Sequence, residues 1–172
     1  TPYRTPNDFN PFEDSPIPDW ITEEVLETHK RLVGPHGALE IGMYSDFVPP
    51  RFPKQPGRLD TLADVKKLFD GYDTGIRYAD MHVGLIINKL KEKGIYDDTV
   101  IIISSDHGEN MGELGIYAEH GTADHITCRI PMIIKWPKGV KNHVDHALHY
   151  NLDLLPTLAE LLDIKPSPHW DG

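Results

Sequence analysis

The feature that most constrains the fold is the apolar run Val100–Ile103, which is followed by Ser-Ser-Asp-His-Gly at 104–108. The run is rich in β-branched residues and does not alternate with polar ones, as is typical of a strand buried on both faces. Such strands lie inside a mostly parallel or mixed sheet that helices cover. Ligands of open α/β sheets bind beyond the carboxyl ends of the strands. The run therefore predicts an α/β domain with a site at Asp106 and His107.

Helical periodicity recurs in three segments, and a second buried-strand pattern follows the first. The predicted elements are helices within 21–33, 60–94 and 152–164, a strand within 130–136 and a possible short strand within 143–151. In the second helix, Thr61 and Asp64 form a predicted capping box. One face of that helix is expected to be apolar, with Ile76, Ala79, Val83, Ile87 and Leu90. Pro156 is expected in the first turn of the last helix, where proline is tolerated.

The first 59 residues hold most of the 15 prolines. Proline lacks a backbone donor and has one fixed dihedral angle, so these stretches predict extended surface structure. We expect residues 1–59 to wrap, with one short helix, over the α/β part that begins at residue 60.

Composition excludes several classes of partner. The net charge is −10 and Lys and Arg form no cluster with aromatic residues, so a nucleic acid is not expected to bind. No run of about 18 apolar residues occurs, so no membrane partner is expected. Cys128 is the only cysteine, which rules out an intramolecular disulfide.

The dipeptide Asp106-His107 by itself admits two interpretations. At a strand-to-loop corner both side chains can converge on one cation, and carboxylate oxygen favours calcium whereas imidazole also suits zinc or manganese. Alternatively, Asp106 caps backbone amides of the loop and His107 is half-exposed. The pair alone does not select the metal.

The sequence from about residue 70 onward resembles the sulfatases of the alkaline phosphatase superfamily. The matching motifs are a helical D-x-x-V-G at 80–84, S-D-H-G at 105–108, G-x-x-G at 112–115, H-G-T at 120–122 where many members have K-G-T, R-x-P at 129–131, W-P at 136–137 and D-L-x-P-T at 153–157. Many ordered motifs make this resemblance far more specific than one dipeptide.

The resemblance implies part of an alkaline-phosphatase-like sandwich, with a mostly parallel or mixed sheet flanked by helices and incomplete in this chain. It implies hydrolysis of sulfate esters, with carbohydrate sulfates plausible, beside a calcium ion held by Asp106 and His107. His120 takes the place of the family lysine and is the expected catalytic and substrate-binding residue, with a solvated loop histidine as the alternative. His125 is the second substrate-binding candidate, with a solvated loop surface as the alternative. Glu109 is expected to orient His107 or to bind nothing.

The family nucleophile is a formylglycine made from Cys or Ser in C/S-x-P-x-R, and this motif is absent from the chain. Cys128 is followed by Arg-Ile-Pro and is therefore not that nucleophile. We expect residues 60–172 to be the C-terminal portion of a sulfatase catalytic domain, inactive alone, whose partner is the remaining part of the parent polypeptide. The resemblance suggests a periplasmic, secreted or lysosomal location.

Two other functions stay open on the sequence. The first is a phosphodiesterase, phosphonate hydrolase or phosphotransferase of the same superfamily, whose metal sites can share the Asp-His-Gly corner. The second is a non-catalytic α/β binding module.

Overall fold

The computed structural model describes Tyr3 and residues 8–32, 34–41 and 56–170, and it divides into two compact units, 1–138 and 139–172. Its elements are α1 (Glu23–His29), α2 (Leu62–Glu92), β1 (Ile101–Ser104), β2 (Asn110–Met111), β3 (Tyr117–Glu119), α3 (His125–Cys128), β4 (Met132–Lys135) and α4 (Asn151–Leu161). The predicted α/β class is confirmed. The proposed boundary at residue 60 stays a prediction.

The helix starts follow the sequence signals. The Thr61 hydroxyl accepts the N–H of Asp64, and the Asp64 carboxylate accepts the N–H of Thr61 at 2.9 Å, so the predicted capping box of α2 is confirmed. Thr22 caps α1 by accepting the N–H of Val25 at 3.2 Å. This helix ends at His29, within the predicted segment 21–33 but before its last residues.

The core of the first unit joins the N-terminal segment to the first half of α2 and to the β2–β3 hairpin. Its buried apolar residues are Ile21, Leu26, Ala38, Ile41, Leu59, Val65, Leu68, Met111 and Tyr117, with Tyr3 and Ile17 packed against them. Residues from the segment expected at the surface thus supply part of the core. The segment 42–55, which holds three of the prolines, lies outside the described residues. The predicted apolar face of α2 is partly open, since Ile76 is 56% exposed.

Both predicted strands form, and they pair with each other. β1 runs antiparallel to β4, from Ile101 opposite Lys135 to Ser104 opposite Met132. The described strands form two antiparallel pairs, β1–β4 and β2–β3, which is consistent with part of an α/β fold. Burial on both faces is not seen among the described residues, because Ile133 is 61% exposed and Ile134 52%. No helix in the described part of the chain is long and apolar enough to cross a membrane.

In the second unit, two predictions about secondary structure were wrong. Residues 143–150 form a loop, so the possible short strand within 143–151 was wrong. The helix α4 begins at Asn151, which places Pro156 inside the helix and beyond its first turn. Proline there removes one intrahelical hydrogen bond.

Candidate metal and substrate site

The residues after β1 form a tight corner. The Ser105 hydroxyl donates to the carbonyl of His107 at 2.6 Å, and the N–H of His107 donates to Asp106 Oδ1 at 3.0 Å. Asp106 points into solvent with its side chain 86% exposed, and the His107 side chain is 40% exposed. The alternative in which Asp106 caps a backbone amide of the loop requires such a contact. Asp106 Oδ2 makes no hydrogen bond to any described residue.

The hydrogen bond of His107 selects its tautomer. Nδ1 lies 2.8 Å from the carbonyl oxygen of Gly108, which can only accept, so Nδ1 carries the proton. In the neutral ring, Nε2 then has a free lone pair, and it lies 3.7 Å from Asp106 Oδ1. The pKa of Asp106 is lowered, first by its own backbone amide and next by His107, which favours the ionised carboxylate.

Asn110 ties this corner to the loop that carries His120. Its side-chain amide donates to the Thr122 hydroxyl at 2.9 Å and to Asp124 Oδ2 at 3.1 Å. Asp124 in turn caps α3 by accepting the N–H of Ile126 at 2.8 Å. The side chain of Asn110 is fully buried, and its Oδ1 has no partner among the described residues. The corner is therefore held by a buried polar network.

The structure brings His120 to His107. The two rings stack with centroids 3.9 Å apart and planes 13° from parallel. His120 Nδ1 lies 3.1 Å from Glu109 Oε2, and the Glu109 side chain is only 12% exposed. Glu109 was predicted to orient His107 or to bind nothing. Its carboxylate bonds to His120 instead. His107 and His120, thirteen positions apart in the chain, thus meet beside the end of β1.

Two residues of the N-terminal segment, Tyr3 and His36, contact the glutamates beside His120. The Tyr3 hydroxyl donates to Glu109 Oε1 at 3.3 Å; burial first, and then the charge of Glu109, raises the pKa of Tyr3. His36 Nε2 lies 2.7 Å from Glu119 Oε2. The contacts of Tyr3 and His36 were not predicted, because no local motif relates these residues to a loop so distant in the chain.

Glu119 also holds the backbone beside His120. Its Oε1 accepts the N–H of His120 at 2.8 Å and the N–H of Gly121 at 2.5 Å. Burial acts to raise the pKa of Glu119, but these two hydrogen bonds and the nearby His36 lower it overall. The negative charge that results keeps the turn around His120 in place.

Two donor sets could hold a metal ion. The ligand atoms of His107, Glu109 and His120 all lie within 4.8 Å of one another. The rings of His107 and His120 are nearly parallel, however. Because the lone pair of an imidazole nitrogen lies in the ring plane, the lone pairs of two stacked rings do not point at one ion. Asp106 Oδ1 and His107 Nε2 do not have this conflict, and their separation allows both to bind one divalent cation. The assignment of the metal to Asp106 and His107 stays a prediction.

His125 stands apart from these contacts. It is the exposed first residue of α3, and its side chain makes no hydrogen bond or ion pair within the described part of the chain. Its assignment to a substrate pocket stays a prediction. Cys128 is exposed at the end of the same helix.

The α/β fold fits the alkaline phosphatase superfamily. The sulfatase family profile matches residues 28–164. The chain belongs to the sulfatase family. The resemblance found in the sequence is thereby confirmed.

Individual relatives match only part of their own length. The chain is 34% identical over 105 residues to a choline-sulfatase of Rhizobium meliloti, covering 61% of this chain and 20% of the relative. It is 30% identical over 97 residues to an extracellular sulfatase SULF-1 homolog of Drosophila melanogaster, covering 56% of this chain and 9% of that protein. The chain thus spans about a fifth or less of these curated relatives.

A solved structure supports the fold. A phosphonate monoester hydrolase from Silicibacter pomeroyi superposes with a TM-score of 0.62 at 27% sequence identity. The match covers 80% of this chain and 30% of the hydrolase.

Proposed function

We propose that this chain is part of a sulfatase that hydrolyses sulfate esters, with sulfated carbohydrates or small molecules as substrates. The observation that carries the proposal is the corner at which Asp106 Oδ1 and His107 Nε2 lie 3.7 Å apart, with His120 stacked on His107. Membership of the sulfatase family supports the reaction class.

Each side chain has a distinct role in this proposal. Asp106 and His107 would hold a divalent cation, calcium by family resemblance, and this ion would supply positive charge to neutralise the sulfate oxygens. His120 contacts the ester and donates a proton to the leaving oxygen, which suits an imidazole near neutral pH. His125 lines the substrate pocket.

The site needs more protein than this chain provides. Calcium takes six to eight oxygen ligands, and one Asp-His pair supplies too few donors and too little charge. The remaining ligands and the formylglycine are supplied by sequence outside this chain, so the chain alone is inactive. A location outside the cytosol, in the periplasm, the lysosome or the medium, accompanies this assignment.

Hydrolysis of sulfated sugars by the full-length protein tests the proposal. Asp106→Ala, His107→Ala and His120→Ala should each abolish most of the activity. His82→Ala is the matched control, because His82 is an exposed histidine of α2 whose ring, within the described residues, contacts Tyr78 and none of the site residues. Full activity in the first three variants would refute the assigned roles.

A second candidate is hydrolysis of phosphonate monoesters, which the likeness to the Silicibacter pomeroyi enzyme favours. The same full-length protein should be assayed with a sulfate ester and a phosphonate monoester that share one alcohol. A higher kcat/KM for the phosphonate would replace the sulfatase assignment.

A further inference from the structure

We infer that Glu109 is a positioning residue that fixes the tautomer of His120 and leaves Nε2 as the nitrogen that exchanges protons with substrate. The structural part of this inference stands on the geometry of the loop. Its catalytic part rests on the proposed function of His120.

The hydrogen bond defines which nitrogen keeps its proton. Nδ1 of His120 lies 3.1 Å from Glu109 Oε2, and a carboxylate oxygen in this arrangement accepts. The ring therefore donates from Nδ1, and in the neutral ring the lone pair is on Nε2. A carboxylate in this position orients a histidine and supports positive charge on the ring.

Glu109 is itself held so that Oε2 faces His120. Its side chain is 12% exposed, and its other oxygen receives the hydroxyl hydrogen of Tyr3 at 3.3 Å. The next residue, Asn110, is buried in β2 and bonded to the loop beyond His120. A carboxylate restrained on both sides loses little conformational entropy when it accepts the imidazole hydrogen.

Other contacts hold His120 but do not choose its tautomer. The ring of His107 stacks on one face at 3.9 Å and restrains the ring plane. Glu119 accepts the backbone N–H of His120 at 2.8 Å and restrains the main chain. Neither contact touches Nδ1 or Nε2. Loss of Glu109 should therefore change the tautomer while the fold and the position of the loop are kept.

The tautomer can be measured directly by ¹⁵N NMR of the 172-residue chain, at a pH where the ring is neutral. In the native chain, His120 should show a protonated Nδ1 and an unprotonated Nε2. Glu109→Ala should move the ring toward the Nε2-protonated form, whereas Glu109→Gln should keep the native form because its amide oxygen still accepts. Glu160→Ala is the control and should change nothing, because Glu160 is exposed on α4 and its side chain makes no hydrogen bond or ion pair to the described residues. A native ring protonated on Nε2, or an unchanged ring in Glu109→Ala, would overturn the inference.

Kinetics of the full-length protein separate this inference from the proposed function. Glu109→Ala should lower kcat for a sulfate ester roughly 10-fold with little change in KM, and Glu109→Gln should recover much of the loss. Unchanged kcat in an active Glu109→Ala enzyme refutes the catalytic part. A tautomer change without any sulfatase activity in the native protein supports the structural part and refutes the proposed function.

Discussion

The backbone of Gly108 lies directly against the carbonyl group of Ile126. A Cβ atom placed on Gly108 would lie 2.0 Å from that carbonyl oxygen, and the N–H of Gly108 donates to the carbonyl of Thr127 at 2.8 Å. Glycine is needed here for close backbone approach. The contact joins the Asp106-His107 corner to α3, the helix that follows the loop carrying His120.

Gly108→Ala should lower the free energy of unfolding by about 2 kcal/mol, since backbone must move to admit the methyl group. Urea denaturation of the chain measures this change. Gly84→Ala is the matched control: a Cβ there meets nothing within 4 Å, and alanine should stabilise α2 by about 0.5–1 kcal/mol. Equal stability of the Gly108 variant and the native chain would contradict the contact.

Thr61→Ala should lower stability by about 1 kcal/mol, because it removes the side-chain acceptor of the capping box at the start of α2. Circular dichroism during thermal unfolding gives the measurement. Thr157→Ala is the control, because Thr157 is exposed on α4 and makes no side-chain hydrogen bond within the described residues. A comparable loss in that variant would show that the capping box is not the cause.

Acid should destabilise the chain through Asp124. The Thr122 hydroxyl first, and then the side-chain amide of Asn110, hold the pKa of Asp124 well below its usual range. The unfolded chain therefore binds this proton more readily than the folded chain. The stabilisation is complete above the unfolded pKa of about 3.9 and is lost as the pH falls through the lower folded pKa.

Asp124→Asn should be less stable at neutral pH and should lose less stability on acidification than the native chain. Urea unfolding at a series of pH values between about 5 and 2 measures both effects. Asp98→Asn is the control, since that exposed carboxylate makes no hydrogen bond or ion pair to the described residues. An acid response of Asp124→Asn as steep as the native one would rule out this mechanism.

Removal of divalent metal should abolish the sulfatase activity of the full-length protein, and added calcium should restore it. An ion bound there would contribute several kcal/mol of transition-state stabilisation, so chelation should cost roughly 100-fold or more in kcat/KM. Asp106→Asn should require more calcium for half-maximal activity. Activity that persists after complete chelation would exclude the metal from the reaction.

The candidate site was predicted where the sequence signal is local. Asp106 and His107 follow a strand that is recognisable from its own residues, and the capping box of α2 occupies four consecutive positions. The place of His120 came from an ordered set of family motifs. The β2–β3 hairpin was missed, because each of its strands is too short to show a period.

The sequence patterns of the strand, the helices and the family motifs each involve residues that are neighbours in the chain. These patterns alone predicted the α/β class, the sulfatase family and the Asp106-His107 corner. Only the folded chain decided that Glu109 bonds to His120, that Tyr3 reaches Glu109 and that His36 pairs with Glu119. Those contacts join residues up to 106 positions apart. Their existence depends on how the core packs, and packing is a property of the whole assembled chain that no short pattern encodes.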